Sequence, residues 1–565
     1  MLLYAGLAAL LLLPRLPGLD AFATADEPYW LSMGANFYYA LGQREFENTI
    51  YEYQPAVTTM WVVTAAMLVY YPAYRGLGQG YLEFEKGVLD PFLLEHGKDP
   101  LVLLRDARLI QVLLIVTLLL AAFYLLRRLV GLGPALAGLL LASFDPFFLG
   151  QSRLLNHEAM LSCFVLLSIL ALAVYLFQGR KVIFLVLSAI AGALAQLTKS
   201  SAIALLVPTG VLLLVDLLRH RADLRSALLD KLKIFGLWLV ILAAGYVLFW
   251  PGMWVAPGRM LYNVYGNAFS YAFQGARLIA LQNAEAASVG LETNPGSLGE
   301  LVYTILWRTT PLTWIGLLAG ISMSLSRRRE RADSQMRLAS LLMGTTGLTF
   351  VIMFALAQGR NSPHYTLAAY VAFNLLAGMG WLTLLEWLPG RLGSRWITAG
   401  GMVAVIALQA GSGLAQYPYY FTYENPFLAS AQPHQRPQFA YGEGLELAGK
   451  YLGSLPDAKD SVALVYYSRG CFSYFFPGQT ERFKPYFVDA GHETELRDAL
   501  QAADYLVLYP AVQEGLAKYA RLFAALAPVQ PVKEIRLNGY LYTVIYRVDA
   551  LPLSVYETIF PNSTK

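Results

Sequence analysis

Asp26 and Glu27 stand side by side just after the first apolar stretch, in the run Ala25-Asp26-Glu27-Pro28-Tyr29. A carboxylate near a bilayer is costly to desolvate. An acidic pair at the mouth of a membrane helix is therefore a candidate site, able to take a proton from a hydroxyl or to hold a cation. The competing reading is a helix start, with Asp as cap and Pro in the first turn. Further along, Ser152-Arg153-Leu154-Leu155-Asn156-His157-Glu158 packs several ionisable groups directly before an apolar run. Glu158 fits there as a carboxylate favoured by the helix dipole, or as a second acidic ligand, with Arg153 or His157 answering a phosphate. Lys199, in Leu197-Thr198-Lys199-Ser200-Ser201, sits between two apolar runs, where a lysine either snorkels or pairs with an anion. Gly359-Arg360-Asn361-Ser362-Pro363-His364-Tyr365 places Arg360 and His364 beside another run, and Arg offers phosphate a two-pronged fork. The aromatic stretch from Trp250 through Tyr262 to Tyr271 reads as an interface belt or as stacking surface for sugar rings.

These groups need a scaffold, and composition says which. The 565 residues are 57% hydrophobic and 14% charged, with a mean hydropathy of +0.47. Soluble domains carry roughly 25% charge, so repeated apolar runs of about 17–25 residues leave a polytopic helical membrane protein as the economical reading. Spans are expected near 1–17, 106–126, 134–150, 158–177, 182–198, 201–218, 234–250, 302–325, 338–357, 364–385 and 396–415. No Lys or Arg precedes the first run, which favours a transmembrane helix over a signal peptide cleaved after Ala23. The run 56–72 is interrupted by Thr58, Thr59 and Thr64. If it stays out of the membrane, Arg127-Arg128, Arg180-Lys181, Arg219 to Lys233, Arg327 to Arg337 and Arg391/Arg395 all fall on the cytoplasmic side. That segregation predicts about eleven spans, with 56–72 an amphipathic juxtamembrane helix at the outer interface.

The same topology gathers 18–105, 150–158, 251–300, 358–363 and everything after about 416 on the external face. It divides the chain into a transmembrane domain, 1–416, a junction, 417–455, and a small extracytoplasmic α/β domain, 456–565. The junction leads to a helix expected near 443–453, and strands follow in the last domain at 461–467, 504–509 and 533–548. The last of these carries the hairpin dipeptide Asn538-Gly539. Cys163 and Cys471 are the only cysteines, so neither a disulfide nor a Cys-built metal site is expected. Zinc signatures, nucleophile elbows, Walker motifs and dinucleotide fingerprints do not occur. The net charge of +4 lies in short loop clusters and gives no reason to invoke nucleic acid.

External carboxylates together with Arg, Lys and His, set above a lipid-facing bundle, suit a reaction on a lipid-linked phosphate at the outer membrane face. In their order along the chain, Asp26-Glu27, Ser152-Arg153 with Glu158, Leu197-Thr198-Lys199 and Arg360 to Tyr365 resemble the landmarks of the C-type membrane glycosyltransferases. The nearest branch is that of the protein O-mannosyltransferases and bacterial aminoarabinose transferases. Pro418-Tyr419-Tyr420, Asn425-Pro426 and Tyr441-Gly442-Glu443-Gly444 resemble the junction of bacterial members. The resemblance covers about residues 15–455 and leaves 456–565 unassigned. It implies transfer of a sugar from a polyprenyl-phosphate donor to a protein, glycan or lipid acceptor outside the cytoplasm. Asp26 and Glu27 would be the catalytic pair, with Asp26 the base, and Arg153, Lys199, Arg360 and His364 would bind the donor phosphate. Asp26 and Glu158 would be ligands for Mg²⁺ or Mn²⁺, if a divalent cation takes part. Glu158 stands where members often carry Asp, one methylene shorter.

Two other classes compete. A transporter would place ionisable groups at the bilayer midplane, whereas here they lie at span ends. A non-catalytic assembly or sensor protein would leave Asp26 dispensable. The expected topology is checked by reporter fusions: one after Arg547 should behave as external and one near Arg329 as cytoplasmic. Cytoplasmic labelling of the Arg547 fusion would return 56–72 to the membrane.

Overall fold

A computed structural model describes residues 1–50, 54–78, 89–219, 224–274, 298–325, 331–357, 362–387, 395–431, 440–489 and 491–559. The chain divides into two compact units. The first comprises Met1–Pro17, Met33–Phe84 and Asp106–Arg436, and the second comprises Gly18–Ser32, Glu85–Arg105 and Pro437–Lys565. Two segments of the long loop 18–105 thus group with the C-terminal residues.

The first unit is helical. Among the described residues, seven helices are long and apolar enough to cross a membrane: Pro100–Val130, Glu158–Phe177, Ser200–Arg219, Leu224–Phe249, Ser334–Leu356, Pro363–Trp387 and Trp396–Leu414. Leu2–Leu12, Val57–Tyr70, Leu132–Ser143, Val182–Thr198 and Pro311–Ser322 are shorter apolar helices. The protein is an integral membrane protein. Two expected spans are broken. The run 134–150 stops at Ser143 and restarts as Pro146–Gln151, because Asp145 caps the second piece by accepting from the Phe148 amide at 2.9 Å. The run 302–325 is split into Leu298–Arg308 and Pro311–Leu325, where Pro311 cannot donate to a preceding turn.

Val57–Tyr70 corrects the expectation of an amphipathic interfacial helix. Val57, Thr58, Thr59, Met60, Val62, Val63, Thr64, Ala66 and Met67 are buried and the exposed side carries Trp61, Leu68 and Val69, so the outward face is apolar rather than polar. The threonines that interrupt its apolar pattern include a buried contact: the Thr58 and Thr198 hydroxyls lie 2.8 Å apart. Glu158–Phe177 is apolar on every side after its first residue and is buried from Glu158 to Leu176, which makes it a core helix.

Small residues let other helices approach closely. A Cβ on Gly380 would fall on the Gly316 carbonyl and the Gly320 nitrogen, and one on Gly378 would fall on the Ala137 carbonyl. Helix Leu367–Trp387 is therefore gripped by Pro311–Leu325 on one side and Leu132–Ser143 on another, the contact that glycine makes available between membrane helices.

The second unit holds a five-stranded sheet: β1 (Val462–Val465), β2 (Gln479–Arg482), β3 (Tyr505–Leu508), β4 (Lys533–Leu537) and β5 (Tyr540–Arg547), in the order β2-β1-β3-β5-β4. β1 pairs in parallel with β2 and β3, while β5 runs antiparallel to β3 and β4. The α/β expectation holds. β3 is buried at all four positions, as a strand in mid-sheet must be. In helix Glu493–Gln501, Leu496 and Leu500 share one face and enter the same core as Leu464, Val507 and Ile545. The expected helix is present as Leu445–Gly453. The turn between β4 and β5 puts Asn538 at φ 51° and Gly539 at φ 82°, the left-handed pair that a two-residue hairpin requires. β2 was not foreseen, since its residues, Gln-Thr-Glu-Arg, mark an edge strand without an apolar face.

Replacing Gly380 by Ala should destabilise the purified protein by about 1–3 kcal/mol through overpacking against backbone. Gly344→Ala is the control, because nothing lies within 4 Å of its Cβ position. Equal melting temperatures for the two variants would refute the close approach.

Candidate active site

Chain direction decides which charges meet in the first unit. Helix Glu158–Phe177 starts where helix Val182–Thr198 ends, so the first residue of one and the residue after the other share an end of the pair. There the Lys199 ammonium forms a buried ion pair with Glu158 Oε1. His157 Nε2 lies 3.5 Å from the same oxygen. The ammonium also sits 4.1 Å above the centre of the Tyr365 ring, a cation–π contact in a desolvated setting. Tyr365 in turn stacks on Phe354, with centroids 5.6 Å apart, and meets the His364 ring edge-on at 4.3 Å. Lys199 thus comes together with Glu158, His157 and Tyr365, and His364 joins through Tyr365. Arg360 lies outside the described residues.

Lys199 also lines a cavity of about 220 Å³. Gln54, Ser200 and Ser201 supply its other polar lining, while Ile203, Met353, Phe354 and Ala357 make apolar wall. The lysine falls here because Val182–Thr198 ends at Thr198 and the chain re-forms as a 3-10 turn from Ser200.

Arg153 does something else. Its Nε donates to the Arg15 carbonyl at 3.1 Å, Nη1 to the Pro418 carbonyl at 3.3 Å, and Nη2 to the Pro17 carbonyl. Its guanidinium centre lies 4.9 Å from the centre of the Tyr420 ring. Ser152 accepts from Arg15 Nε at 2.9 Å, and Arg15 also donates to the Ser143 carbonyl. Ser152 and Arg153 therefore fasten three distant stretches of main chain and fix the loop that presents Glu158. Asn156 completes that loop by accepting from the Glu158 amide at 3.1 Å, which gives the first N–H of the helix a partner.

At the other end of the same helices, Arg180 bonds Asp216 at 2.8 Å and Asp230 at 2.7 Å, and Lys231 bonds both acids. Asp216 lies inside an apolar run, so its pattern hides it. Only the facing Arg180-Lys181 and Lys231 hint at a partner.

Asp26 and Glu27 belong to the second unit. Glu27 opens helix Glu27–Gln43, and its Oε2 accepts from the Thr24 amide at 2.7 Å and the Thr24 hydroxyl at 2.9 Å. The Asp26 carboxylate accepts from the Tyr441 hydroxyl, while the Tyr441 carbonyl accepts from the Ala25 amide at 2.9 Å. Tyr441 is held by Glu443, whose Oε2 accepts from its amide at 2.6 Å. Gly442 has φ 105°, and a Cβ there would strike the Cys471 sulfur. Burial first, then the neighbouring Tyr466 and Asp26, push the Tyr467 phenol well above its ordinary range. Tyr441 and Glu443 were quoted as junction motif, but their link to Asp26 spans more than four hundred positions and has no local signal.

Of the carboxylates offered as metal ligands, Glu158 shares an oxygen with the Lys199 ammonium, which repels a cation. The Asp26 carboxylate accepts from the Tyr441 hydroxyl. Among the described residues no three His, Cys, Asp or Glu side chains gather as a metal site.

The family profile described as dolichyl-phosphate-mannose-protein mannosyltransferase matches residues 103–250. The structure of ArnT from Cupriavidus metallidurans bound to undecaprenyl phosphate is similar to this chain over 97% of its length and 98% of that chain, with a TM-score of 0.51 and 13% identity. The chain has the fold of the C-type membrane glycosyltransferases. The apo form of the same ArnT gives a TM-score of 0.48 at 14% identity, with the same coverage. An Archaeoglobus fulgidus oligosaccharyltransferase in complex with Zn and sulfate gives 0.39 at 14% identity, over 93% of this chain and 69% of that one. No curated protein sequence matches the chain. The resemblance to the mannosyltransferase and ArnT branch, read from ordered motifs, thus has a profile match and a fold match beside it.

Arg153→Lys should lower stability by about 1.5–3 kcal/mol, because one ammonium cannot reach three carbonyls and at least one charged hydrogen bond is lost. Thermal unfolding in detergent checks this. A melting temperature equal to that of the parent protein would contradict the fastening role.

Proposed function

We propose that this protein is a glycosyltransferase of the plasma membrane. In this reading it moves a sugar from a polyprenyl-phosphate donor to an acceptor hydroxyl on the outer face, where its C-terminal domain also lies. The supporting observation is the cavity at Lys199, which offers an ammonium and two serines beside apolar wall. A polyprenyl phosphate has that same division, an anionic head on a hydrocarbon tail. The undecaprenyl phosphate in the ArnT complex, a molecule of this class bound to a protein of this fold, supports the reading.

The chemistry needs positive charge at the leaving phosphate and a base at the acceptor. Lys199 is the phosphate group's partner, held in place by Glu158 and by the Tyr365 face. Arg360 and His364, on the resemblance of their motif, are further candidates for binding that phosphate. Asp26 is the base, oriented by the Tyr441 hydroxyl. The acceptor oxygen attacks the anomeric carbon as its proton passes to Asp26. The carbon–oxygen bond to phosphate breaks on the opposite face, polyprenyl phosphate leaves, and the sugar carbon inverts. Glu27, bound to Thr24, is a positioning residue that fixes the turn carrying Asp26. Arg153 is likewise a positioning residue rather than a phosphate ligand.

Asp26→Asn tests the base. In lipid-reconstituted protein, turnover should fall by roughly 10²–10⁴ while donor binding changes little. Arg360→Ala should instead weaken donor binding together with turnover, if the motif's arginine binds phosphate as the resemblance implies. Asn caps a helix as well as Asp, so near-normal turnover in Asp26→Asn would reduce Asp26 to a cap.

A further inference from the structure

A second cavity, of about 580 Å³, lies wholly within the second unit and has no part in the chemistry above. Helix Leu89–Glu95 forms one side, and the segment from Ser468 to Thr480, which leads into β2, forms the other. Its size is that of an ordinary small-molecule site.

The lining is built rather than incidental. Asp90 accepts from Arg469 Nε and from the Tyr474 hydroxyl, each at 3.1 Å. Arg469 Nη2 donates to Ser32 Oγ and to the Pro28 carbonyl, and the guanidinium centre lies 5.1 Å over the Tyr29 ring. These contacts set the plane of the arginine and leave Nη1 over. Arg469 Nη1 and Thr480 Oγ1 are buried and without a hydrogen-bond partner among the described residues. Burying such groups unpaired is unfavourable, so they are places for a ligand's polar atoms. Burial pushes the Asp90 carboxyl upward and Arg469 pulls it back, which keeps the pair tightly matched.

The charge pattern chooses the ligand class. Asp90 and Asp99 both line the cavity against one arginine that Asp90 already neutralises, so phosphate and other anions are repelled. Nucleotide or lipid head-group recognition would need the opposite balance. A sugar suits it better. Its hydroxyls both donate and accept, which answers carboxylates, a guanidinium nitrogen and a threonine at once, and its C–H faces suit Tyr474 and Phe476. We propose that this cleft binds a neutral oligosaccharide. The proposal does not depend on the chain being a transferase, and its test reads binding alone.

The test uses the full chain in lipid nanodiscs, titrated with mannotriose, maltotriose and chitotriose, with inorganic phosphate in parallel. Binding is followed by saturation-transfer NMR, which also maps the contacted sugar protons. At least one trisaccharide should bind saturably and phosphate should not displace it. Leu94→Trp, which enlarges an exposed lining residue, should change that binding about tenfold or more, by filling the cleft or by stacking on the sugar. Leu447→Trp, exposed in the same unit but outside the lining, should leave it unchanged. Asp99→Asn adds a check with no change of bulk and should weaken it. Absence of saturable binding by all three sugars would overturn the proposal. So would competition by phosphate, or equal affinity in Leu94→Trp and the parent.

Discussion

A lysine cannot rest at the end of an apolar helix without an anion close by, and the first unit is arranged around that requirement. Removing one partner of a buried ion pair is costly, about 3–5 kcal/mol, because the other charge is then stranded. The pairing of Lys199 with Glu158 therefore fixes the registry of Glu158–Phe177 against Val182–Thr198. The loop before Glu158 must in turn be rigid, and Arg15, Ser152, Arg153 and Asn156 make it so. Arg180, Asp216, Asp230 and Lys231 close the opposite end of the same helices. Charge matched at both ends goes with a core helix that carries no charged side chain after Glu158.

This arrangement accounts for a division of labour among the conspicuous polar residues. Those that donate to main-chain carbonyls, Arg15 and Arg153, hold stretches of chain together. Lys199, by contrast, lines a cavity while its ammonium rests over the Tyr365 ring and pairs with Glu158. In the second unit the pattern repeats with different chemistry. Tyr441 orients Asp26, and Arg469 with Tyr474 orients Asp90.

Much of this was legible in the sequence where the signal is local. Apolar runs located the helices, Asn538-Gly539 located its hairpin, and each expected span coincides with at least one apolar helix. Pro311 and Asp145 broke two of those runs, and both breaks could have been read from the residue type. Val57–Tyr70 could not. Threonine looks like an interruption until its partner, Thr198, is known, and that partner is far along the chain. The same limit hid Asp90, Arg469 and Tyr474, which lie in segments with no periodicity and meet only in the fold. The carbonyl partners of Arg153 were hidden for a related reason. An arginine beside an acidic motif suggests phosphate, and nothing in the sequence reveals three carbonyls waiting for it.

The central claim is that Lys199, set by Glu158, seats the phosphate of a polyprenyl lipid. Native mass spectrometry of the protein released from nanodiscs doped with a polyprenyl phosphate tests it directly. The parent protein should retain one lipid, and Lys199→Met should lose it while staying folded by circular dichroism. Retention of the lipid by folded Lys199→Met, at the same occupancy as the parent, would contradict the account.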